Sequence, residues 1–405
     1  MCVDAEFFKN LLSLQENMPI DLYFVGGCIR NLVLGLDSND IDFIVMGDFD
    51  QFIERLTAFY PISRSKIKTA HYKGTLFTYD FAAPRRDFYP NYDGVPNVIY
   101  NVTLLDDLER RDFTVNTGIV PLSEKTMAWF TQLKPKKADV LKAIQLAHPH
   151  FWPDIDRRFL RVLHKASYKE DPSRYLRAIK YMTLYKFRII EDQKSIFNPA
   201  VEILSLNRGR FLKILWQDAL EPSGEHLLCA YSQYNLIPDF RDFTKLFFEM
   251  RPVFGAVYGL WPYVYFLWAF NQEFTLLRNL DSYFTPLIKE IECVEKWEAP
   301  AVLDKNGYEI YKMLYNMRVE SLMSCALTDI KKDQIIYFMT HLASFKVTAT
   351  GYDLIRMGIP RGPEIGKLLE MLLKYKLDHS LRLSYDDELL WIKGIYENRD
   401  KSRCF

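Results

Sequence analysis

The segment from Leu22 to Val45, LYFVGGCIRNLVLGLDSNDIDFIV, constrains the fold of this chain more than any other segment. An apolar run ends at a glycine pair, a helical pattern follows, and a second apolar run begins with two acids one residue apart. The spacing of the apolar residues therefore predicts a strand, a helix and a second strand in succession.

This strand-helix-strand unit carries residues suited to nucleotide chemistry. Gly26 and Gly27 allow backbone amides at a helix start to approach an anion closely, and Arg30 adds a fixed guanidinium. Asp40 and Asp42 stand at i and i+2 of the second strand, so their carboxylates share one face. Carboxylates in this arrangement can hold Mg²⁺ ions that activate an attacking hydroxyl and neutralise a leaving pyrophosphate. The unit therefore predicts a triphosphate site beside a metal site.

Each half of this pattern is weak by itself, because glycine turns and solvated acidic loops are common. The twelve residues between Gly27 and Asp40 join the two halves. The joint pattern resembles that of the polymerase-beta-like nucleotidyltransferase superfamily.

Three further segments narrow the resemblance. They are LERRDFTVN at 108–116, YKEDPSRYLRAIKY at 168–181 and TGYDLIRMGIPRGPEIGKLL at 350–369. In this order they resemble the class II tRNA nucleotidyltransferase and bacterial poly(A) polymerase family, which includes the CCA-adding enzymes, and the resemblance runs from about residue 21 to about residue 377. It implies Mg²⁺-dependent transfer of nucleotides from ATP and CTP to the 3′ end of tRNA, with contacts to its acceptor stem.

The resemblance also implies roles for residues of the second segment. Arg111 and Asp112 match positions that contact the triphosphate and the ribose, and Asn116 offers a donor and an acceptor together. Asp80 falls where a third catalytic acid is expected at the metal site. The alternative for Asp80 is an edge-strand acid that faces water.

Three neighbouring arginines are open to more than one interpretation. Arg85 and Arg86 resemble a mobile RR(D/E)xY segment that the resemblance implies in switching between nucleotides. Arg110 either binds phosphate or pairs with Asp106 or Asp107.

The third segment predicts a helix that begins at Pro172, a residue favoured at the first helical position. In the resembling family the residues that match Asp171 and Arg174 read the Watson–Crick edge of the incoming base, and Arg177 lies on the same face. A carboxylate and a guanidinium suit the edges that cytosine and adenine share. The alternative for Asp171 is an ordinary helix cap. Arg210 matches an arginine that supports the base-reading residues, with a solvated basic face as its alternative.

A chain of 405 residues is too long for a single core. We expect an α+β protein with a mixed α/β nucleotidyltransferase head at 1–125 and all-helical parts after it. These are a neck at 126–218, a body at 219–320 and an RNA-binding tail at 321–405. In the tail, Gly362 and Pro363 before a helix suit contact with an RNA phosphate.

Charge and composition add limits on partners. The net charge is zero, but residues 157–188 hold ten Lys or Arg against two acids, which predicts contact with an RNA backbone. Six cysteines without a CxxC pair argue against zinc and suit a reducing cytoplasm. The N-terminus predicts an amphipathic helix and no signal peptide, and no apolar run is long enough for a membrane partner. The oligomeric state stays open.

Two departures from the family pattern bear on function. The usual D-P-x-G-G-x-x-D-L hinge element is replaced by WFTQLKPKKADVLKAIQLAHPHFWPDID, and Thr117-Gly118-Ile119 stands where Ala-Met-Ala is usual. The sequence therefore leaves three hypotheses: addition of C, A or both to tRNA; addition of A alone, including poly(A) synthesis; and a non-catalytic RNA-binding relative. A nuclease of the HD type is not expected, because the chain has no His-Asp pair.

Overall fold

A computed structural model describes residues 3–65, 67–90, 95–131, 134–255, 258–302 and 306–403. Within these ranges the strands are β1 Asp21–Val25, β2 Asp40–Met46, β3 Ser63–Arg64, β4 Thr69–Lys73, β5 Thr78–Ala82, β6 Arg85–Phe88, β7 Asn97–Tyr100, β8 Ile119–Pro121, β9 Phe159–Leu160 and β10 Arg188–Ile189.

The α-helices in the same ranges are α1 Val3–Asn17, α2 Gly27–Leu34, α3 Phe49–Thr57, α4 Leu104–Glu109, α5 Glu124–Thr131, α6 Lys137–Ala143, α7 Phe151–Arg157, α8 Ser167–Glu170, α9 Ser173–Tyr185, α10 Pro199–Glu202, α11 Arg208–Ala219, α12 Gly224–Gln233, α13 Phe240–Phe254, α14 Trp261–Ala269, α15 Phe274–Arg278, α16 Phe284–Lys296, α17 Gly307–Leu314, α18 Val319–Leu327, α19 Lys332–Tyr337, α20 Gly351–Arg356, α21 Pro363–Asp378 and α22 Tyr385–Arg403. No helix in the described ranges is both long enough and apolar enough to cross a membrane.

A six-stranded sheet in the order β3-β4-β5-β2-β1-β8 forms the centre of the N-terminal region. β1 runs antiparallel to β2 and β8, whereas β2 and β5 are parallel. Because side chains alternate along β2, Ile41 and Phe43 enter the core while Asp40 and Asp42 lie on the opposite face. Phe43 stacks on Phe81 of β5 with ring centroids 5.2 Å apart, and Phe8 of α1 closes the same core.

The chain divides into two compact units. One contains residues 1–211 and 225–236, and the other contains residues 212–224 and 237–405. The mixed sheet of the first unit and the helices that follow it confirm the predicted α+β class. The division into head, neck, body and tail remains a prediction.

The neck differs from the all-helical prediction by one short strand pair. α7 and α9 each end on a residue in the left-handed conformation, Arg158 with φ 56° and Lys186 with φ 57°. The chain after each helix is therefore redirected into an extended run, and β9 and β10 pair in parallel.

The segment that replaces the hinge element is hydrogen-bonded to strand β8. Two residues of this segment, Gln132 and Leu133, lie outside the described residues. The backbone amide of Ile119 donates to the carbonyl of Leu146 at 2.9 Å, and that of Gln145 donates back to Ile119 at 2.9 Å. A β-carbon on Gly118 would lie 2.8 Å from the Phe151 ring. Glycine therefore stands at this position because α7 presses an aromatic ring against it.

The second unit is helical, with separate aromatic and aliphatic clusters. Trp216 makes edge contacts with Phe266 and Phe284, each with ring centroids 5.0 Å apart. Towards the C-terminus, α20, α21 and α22 enclose an aliphatic cluster that includes Leu354 and Leu368.

Candidate active site

The glycine turn between β1 and α2 brings two charged side chains against the backbone. Gly26 has φ +73°, and a β-carbon there would lie 3.2 Å from Asp42 Oδ2 and 3.3 Å from Arg111 Nη1. Both contacts are tighter than a side chain normally tolerates, so the missing side chain lets a carboxylate and a guanidinium meet at this turn.

Gly27 makes room for Arg30 in the same way, because a β-carbon on Gly27 would lie 3.3 Å from Arg30 Nη2. Arg30 is only 3 % exposed. Its Nη1 donates to Asn116 Oδ1 at 2.6 Å, and its Nε and Nη2 donate to Asn31 Oδ1 at 3.1 and 2.9 Å. Arg30 is not among the described residues that line the cavity beside the turn. This placement does not favour the predicted triphosphate contact.

Three carboxylates stand on one face of the adjacent strands β2 and β5. Asp42 is directly opposite Asp80 across the parallel pair, and Asp40 lies two residues before Asp42. Burial, followed by the charges of Asp80 and Asp40, raises the pKa of Asp42 to about 6, although Arg111 opposes this shift. Burial of Asp42 and the crowding of like charges on this face both disfavour its ionised form, and a bound cation would offset both.

Asp80 is not an edge-strand acid. β5 lies between β4 and β2, and the Asp80 carboxylate pairs with the imidazole Nδ1 of His71 on β4. The side chain of Asp80 nevertheless retains about a third of its exposure. It therefore faces the cavity from an interior strand.

The donor set at this face fits Mg²⁺ in chemistry. Among the described residues, no group of three or more His, Cys, Asp or Glu side chains is arranged to hold a metal ion unaided. Mg²⁺ is commonly bound by one or two carboxylates together with substrate phosphates and water, so a complete protein cage is not required. Asp40 and Asp42 supply hard oxygen donors at i and i+2, as Mg²⁺ prefers.

A cavity of about 470 Å³ opens beside the glycine turn, within the first unit. The predicted site residues that line it are Gly26, Gly27, Asp42, Asp80, Arg111, Asp112, Asn116, Asp171, Arg174, Arg177 and Arg210. Asp40 lies at the exposed start of β2 and, like Arg30, is not among the described lining residues. Tertiary folding thus gathers eleven of the thirteen predicted residues around one space.

The acid that orients the RRD motif is Asp107, which is fully buried. Arg110 Nε donates to Asp107 Oδ1 at 2.8 Å, and Arg111 Nη2 donates to Asp107 Oδ2 at 3.0 Å. Arg110 also lies 3.6 Å from Asp87 Oδ2. Of the two interpretations of Arg110, pairing with a nearby acid therefore describes its contacts in this structure. Arg86 pairs with Asp106, and Arg85 lies 3.0 Å from Asp87.

Asp112 and Asn116 form the part of the wall predicted to meet the ribose. Asp112 Oδ1 accepts from the Phe113 amide and from Asn116 Nδ2, both at 2.8 Å. Burial would raise the pKa of Asp112, but Arg177 and the bond from Asn116 outweigh it and hold the pKa below its ordinary value. Asp112 is therefore an ionised acceptor.

Asp171 combines the two roles that the sequence left open. Its Oδ1 accepts from the Ser173 amide at 3.0 Å and from the Ser173 hydroxyl at 2.6 Å, which is a capping interaction. Its Oδ2 lies 3.4 Å from Arg177 Nη2 and 3.2 Å from Arg210 Nη2. Burial opposes ionisation, but these arginines keep the pKa of Asp171 below its ordinary value. One oxygen caps α9 and the other belongs to the cavity wall.

Arg174 and Arg210 are each held by hydrogen bonds to neighbouring segments. Arg174 Nη2 donates to the carbonyl of Arg110 at 2.9 Å, and its Nη1 donates to the carbonyl of Ser167 at 3.2 Å. Arg210 Nη2 also donates to Ser173 Oγ at 3.1 Å. The predicted supporting arginine thus contacts the base-reading segment directly.

Unsatisfied donors concentrate in this cavity. In the described part of the chain, the buried arginine Nε atoms that lack a hydrogen-bond partner belong to Arg85, Arg111, Arg174, Arg177 and Arg278. The first four of these residues line the cavity. The Nε atoms of Arg85 and Arg177 lie 3.0 and 3.5 Å from a carboxylate oxygen, so the Nε atoms of Arg111 and Arg174 are the clearest cases. A buried unpaired donor costs about 1 to 3 kcal/mol, which a bound acceptor would recover.

The sequence analysis missed several lining residues. His71 lies opposite Asp80 because of the pairing register of β4 and β5. Tyr181 lines the cavity because of how α9 packs in the folded chain. Tyr89 and Asp87 line it because alternate residues of the RRDFY segment face inward, while Arg86 and Phe88 face outward. Strand alternation in that segment was the one signal that could have identified them.

The N-terminal residues of the chain match a known protein family. Residues 22–132 match the profile of the family described as "Poly A polymerase head domain". The matched residues contain the glycine turn, the carboxylate face and the RRD motif, and the match confirms the resemblance on which the site residues were predicted.

Relatives extend the similarity beyond the head domain. An A-adding tRNA nucleotidyltransferase of Aquifex aeolicus is 23 % identical, and the match covers 86 % of this chain and 44 % of the relative. Another of Geobacter sulfurreducens is 26 % identical, with 94 % and 46 % covered. The chain thus spans less than half the length of these relatives.

Solved structures share the fold around and beyond the head domain. A CCA-adding enzyme in its apo form II has a TM-score of 0.61 at 22 % identity, covering 97 % of this chain and 95 % of that chain. The Thermotoga maritima CCA-adding enzyme complexed with tRNA has a TM-score of 0.59 at 23 % identity, covering 96 % and 95 %. At these identities the likeness establishes the fold.

Proposed function

We propose that this protein is a Mg²⁺-dependent nucleotidyltransferase that adds C, A or both from CTP and ATP to the 3′ end of tRNA. The observation that carries the proposal is the pairing, in one cavity, of repelling carboxylates with buried arginine donors that lack partners. A metal-bound triphosphate would satisfy both groups at once, because the metal neutralises the acids and phosphate oxygens accept from the arginines.

At the triphosphate end, Asp40 and Asp42 would hold Mg²⁺, with Asp80 as the third acid. The bound metal would supply Lewis-acid activation of the attacking hydroxyl and charge neutralisation of the leaving pyrophosphate. Arg111 lines the cavity with its Nη1 beside Gly26, so its guanidinium would bind phosphate oxygen at the turn.

At the base end, the acceptor and donors suit cytosine and adenine. Asp171 Oδ2 would accept from the exocyclic amino group, and Arg174 would donate its unpaired Nε to a ring acceptor, with Arg177 beside them. Uracil and guanine place a carbonyl where that amino group should be. Each lost bidentate contact costs about 1 to 3 kcal/mol, so both bases would be rejected.

We assign ribose recognition to Asp112, which lines the cavity and has an ionised carboxylate. Asn116 holds one carboxylate oxygen, and the other lies 3.5 Å from Arg177 Nε. A ribose hydroxyl would donate to this second oxygen.

The basic stretch at 157–188 and the segment at 350–369 would contact the acceptor stem of tRNA. Arg188 and Lys186 are exposed on this stretch, where phosphate contacts would give a salt-sensitive affinity. ATP, CTP and tRNA meet in the cytoplasm, which is the expected location.

A second candidate function, addition of A alone, is favoured by one observation. The segment that replaces the hinge element is bonded to β8 through Gln145 and Leu146 and packs Phe151 against Gly118. A hinge fixed in this way would restrict the movement that a change from C to A requires. The poly(A)-adding and non-catalytic hypotheses are tested by the same experiment.

The experiment offers the protein tRNAs that lack one, two or three terminal nucleotides, with Mg²⁺ and with ATP and CTP separately and together. Incorporation of C into the shortest tRNA followed by A supports full CCA addition. Extension only by A, and only of tRNA ending in CC, supports the second candidate, whereas long A tails indicate poly(A) synthesis. Binding of tRNA without any extension in every mixture would refute the catalytic proposal.

A further inference from the structure

Asp80, the third acid proposed for the metal site, is paired with a histidine. His71 of β4 lies directly opposite Asp80 of β5, and its imidazole Nδ1 bonds Asp80 Oδ1. We propose that His71 is a positioning residue for nucleotide addition, which holds one oxygen of Asp80 and leaves the other for the acceptor hydroxyl of the RNA. The inference rests on the proposed function, because Asp80 has a catalytic role only if the protein transfers nucleotides.

The first argument is the register of three adjacent strands. Asp42 of β2 is opposite Asp80 of β5, and Asp80 is opposite His71 of β4. Residues directly opposite one another project from the same face of a sheet, so these three side chains form one row across it. Asp80 therefore has a carboxylate on one side and an imidazole on the other. After burial, the charge of Asp80 is the largest cause of the raised pKa of Asp42.

The second argument is the chemistry of the pair. A carboxylate only accepts hydrogen bonds, so His71 Nδ1 must carry the proton that it shares with Asp80 Oδ1. This bond fixes the rotation of the Asp80 carboxylate, because one of its oxygens is held at β4. In the described part of the chain, Asp80 Oδ2 makes no hydrogen bond. Oδ2 is therefore the oxygen that remains for a reacting group.

The third argument is the place of the pair in the cavity. His71 and Asp80 line it together with Thr69 and Ala82 of the same two strands. The residues that we assign to the triphosphate, the ribose and the base lie on other elements. The His71 side chain is 50 % exposed and that of Asp80 is 36 % exposed, so both are accessible. The wall formed by β4 and β5 is therefore the part of the cavity left for the acceptor end of the RNA.

These arguments give His71 an indirect role. An acceptor hydroxyl at the β4–β5 wall would donate to Asp80 Oδ2, whereas His71 would touch only Asp80. Without His71, the Asp80 carboxylate would be free to rotate towards Asp42. Removal of a group that orients an acid at a metal site typically costs about 10- to 100-fold in activity or metal affinity. We therefore expect a loss of rate without a loss of nucleotide binding.

The test measures steady-state kinetics and equilibrium nucleotide binding of the full-length protein, with Mg²⁺ and the nucleotide and tRNA that the parent protein uses. In His71→Ala we expect kcat to fall about 10- to 100-fold. The KM and the Kd of the nucleotide should stay within about twofold of the parent values. His71→Phe keeps a ring without the donor and should lose as much. His71→Asn restores a donor near the Nδ1 position and should lose less than either.

His226→Ala is the matched control. His226 is an exposed histidine of α12 and is not among the described residues that line the cavity, so the activity of this variant should equal that of the parent. Equal losses of kcat and of nucleotide affinity in His71→Ala would indicate a merely structural role and would overturn the inference. Parent-like activity in His71→Phe would overturn it as well.

A second readout does not depend on catalysis. In ¹⁵N NMR of protein with labelled histidines, the imidazole signals that disappear in His71→Ala belong to His71. In alkaline buffer, where histidine side chains are neutral, these signals should show the proton on Nδ1 in the parent protein. Asp80→Ala should lose this signature. A proton on Nε2 alone in the parent protein would contradict the proposed bond and overturn the inference.

Failure of the inference can be told apart from failure of the proposed function. If the parent protein adds no nucleotide to any tRNA, the proposed function fails and the role of His71 fails with it. If the parent protein adds nucleotides and His71→Ala adds them equally fast, only the role of His71 is wrong.

Discussion

The buried ion pair of the second unit has its hydrogen bonds made, whereas buried charged groups in the cavity of the first unit do not. In the second unit, Lys376 pairs with Glu388 and also donates to the carbonyl of Lys346 at 2.7 Å. Glu388 further accepts from the Thr348 amide at 2.7 Å and the Ala349 amide at 2.8 Å. Burial opposes ionisation, but Lys376 and these donors lower the pKa of Glu388.

In the cavity, by contrast, like-charged carboxylates crowd one another and individual guanidinium nitrogens lack a hydrogen-bond partner in the described chain. The pKa of Asp42 is raised to about 6, and the Nε atoms of Arg111 and Arg174 have no hydrogen-bond partner in the described chain. A buried charged group whose hydrogen bonds are all made stabilises one structure. A buried charged group that lacks a partner instead favours binding of a ligand that supplies one. The comparison separates the structural use of buried charge from its use in binding, and each prediction below tests one side of it.

The largest effect is expected at Asp42. Asp42→Asn removes a metal ligand and should lower nucleotide addition by about 10³-fold, a loss at the upper end of that for a single electrostatic group. Because burial and the like charges of Asp80 and Asp40 oppose ionisation of Asp42, the melting temperature of Asp42→Asn should not fall below that of the parent protein. Primer extension and thermal unfolding measure the two effects. Asp21→Asn, at the exposed start of β1, is the control, and activity within tenfold of the parent would contradict the assignment.

The opposite pattern is expected at Lys376. Lys376→Met leaves Glu388 buried without its counter-ion and should cost about 3 to 5 kcal/mol of unfolding free energy. Urea denaturation measures this, and ATP binding by the folded protein should be unchanged. Lys393→Met is the control, because Lys393 lies in an exposed pair, 3.9 Å from Glu397. A loss of nucleotide affinity in Lys376→Met would break the comparison.

A moderate effect is expected at the glycine turn. Gly26 has φ +73° and Gly35 has φ +70°, so alanine should strain both backbones by about 1 to 2 kcal/mol. A β-carbon at Gly35 meets nothing within 4 Å, whereas at Gly26 it meets Asp42 and Arg111. Titration with ATP should therefore show weaker binding, by about tenfold or 1.4 kcal/mol, in Gly26→Ala alone. Equal affinities in the two variants would show that the close approach has no binding role.

The smallest effect concerns pH. The pKa of Asp112 is lowered by Arg177 and Asn116 against the effect of burial, so its contribution to stability is present above its unfolded pKa of about 3.9. That contribution is lost as the pH falls through the lower folded value. The melting temperature of the parent protein should therefore fall more steeply below about pH 4 than that of Asp112→Asn. Parallel declines would show that Asp112 is not held ionised.

The sequence predicted the local parts of the site because those parts follow from periodicity and residue type. The glycine turn, the i and i+2 placement of Asp40 and Asp42, and the helix that begins after Asp171 all appear within a few residues of one another. Resemblance to a known family supplied the link between distant motifs, and residues 22–132 confirm it.

Where two interpretations were open, long-range contacts decided between them. Arg110 could bind phosphate or an acid, and packing of α4 against β6 placed it between Asp107 and Asp87. Asp80 could face water from an edge, but strand order put β5 inside the sheet. Neither outcome follows from the residues around each position.

The sequence by itself determined the kinds of groups at this site, because an amino-acid pattern fixes turn geometry, strand alternation and the chemistry of donors and acceptors. Only the tertiary structure decided which groups face the cavity. Arg30 and Arg111 carry the same guanidinium, yet one lies buried against tyrosine rings and the other lines the cavity with an unpaired Nε. The reason is that burial and hydrogen-bond partners depend on elements distant in sequence, which pair only when the chain folds.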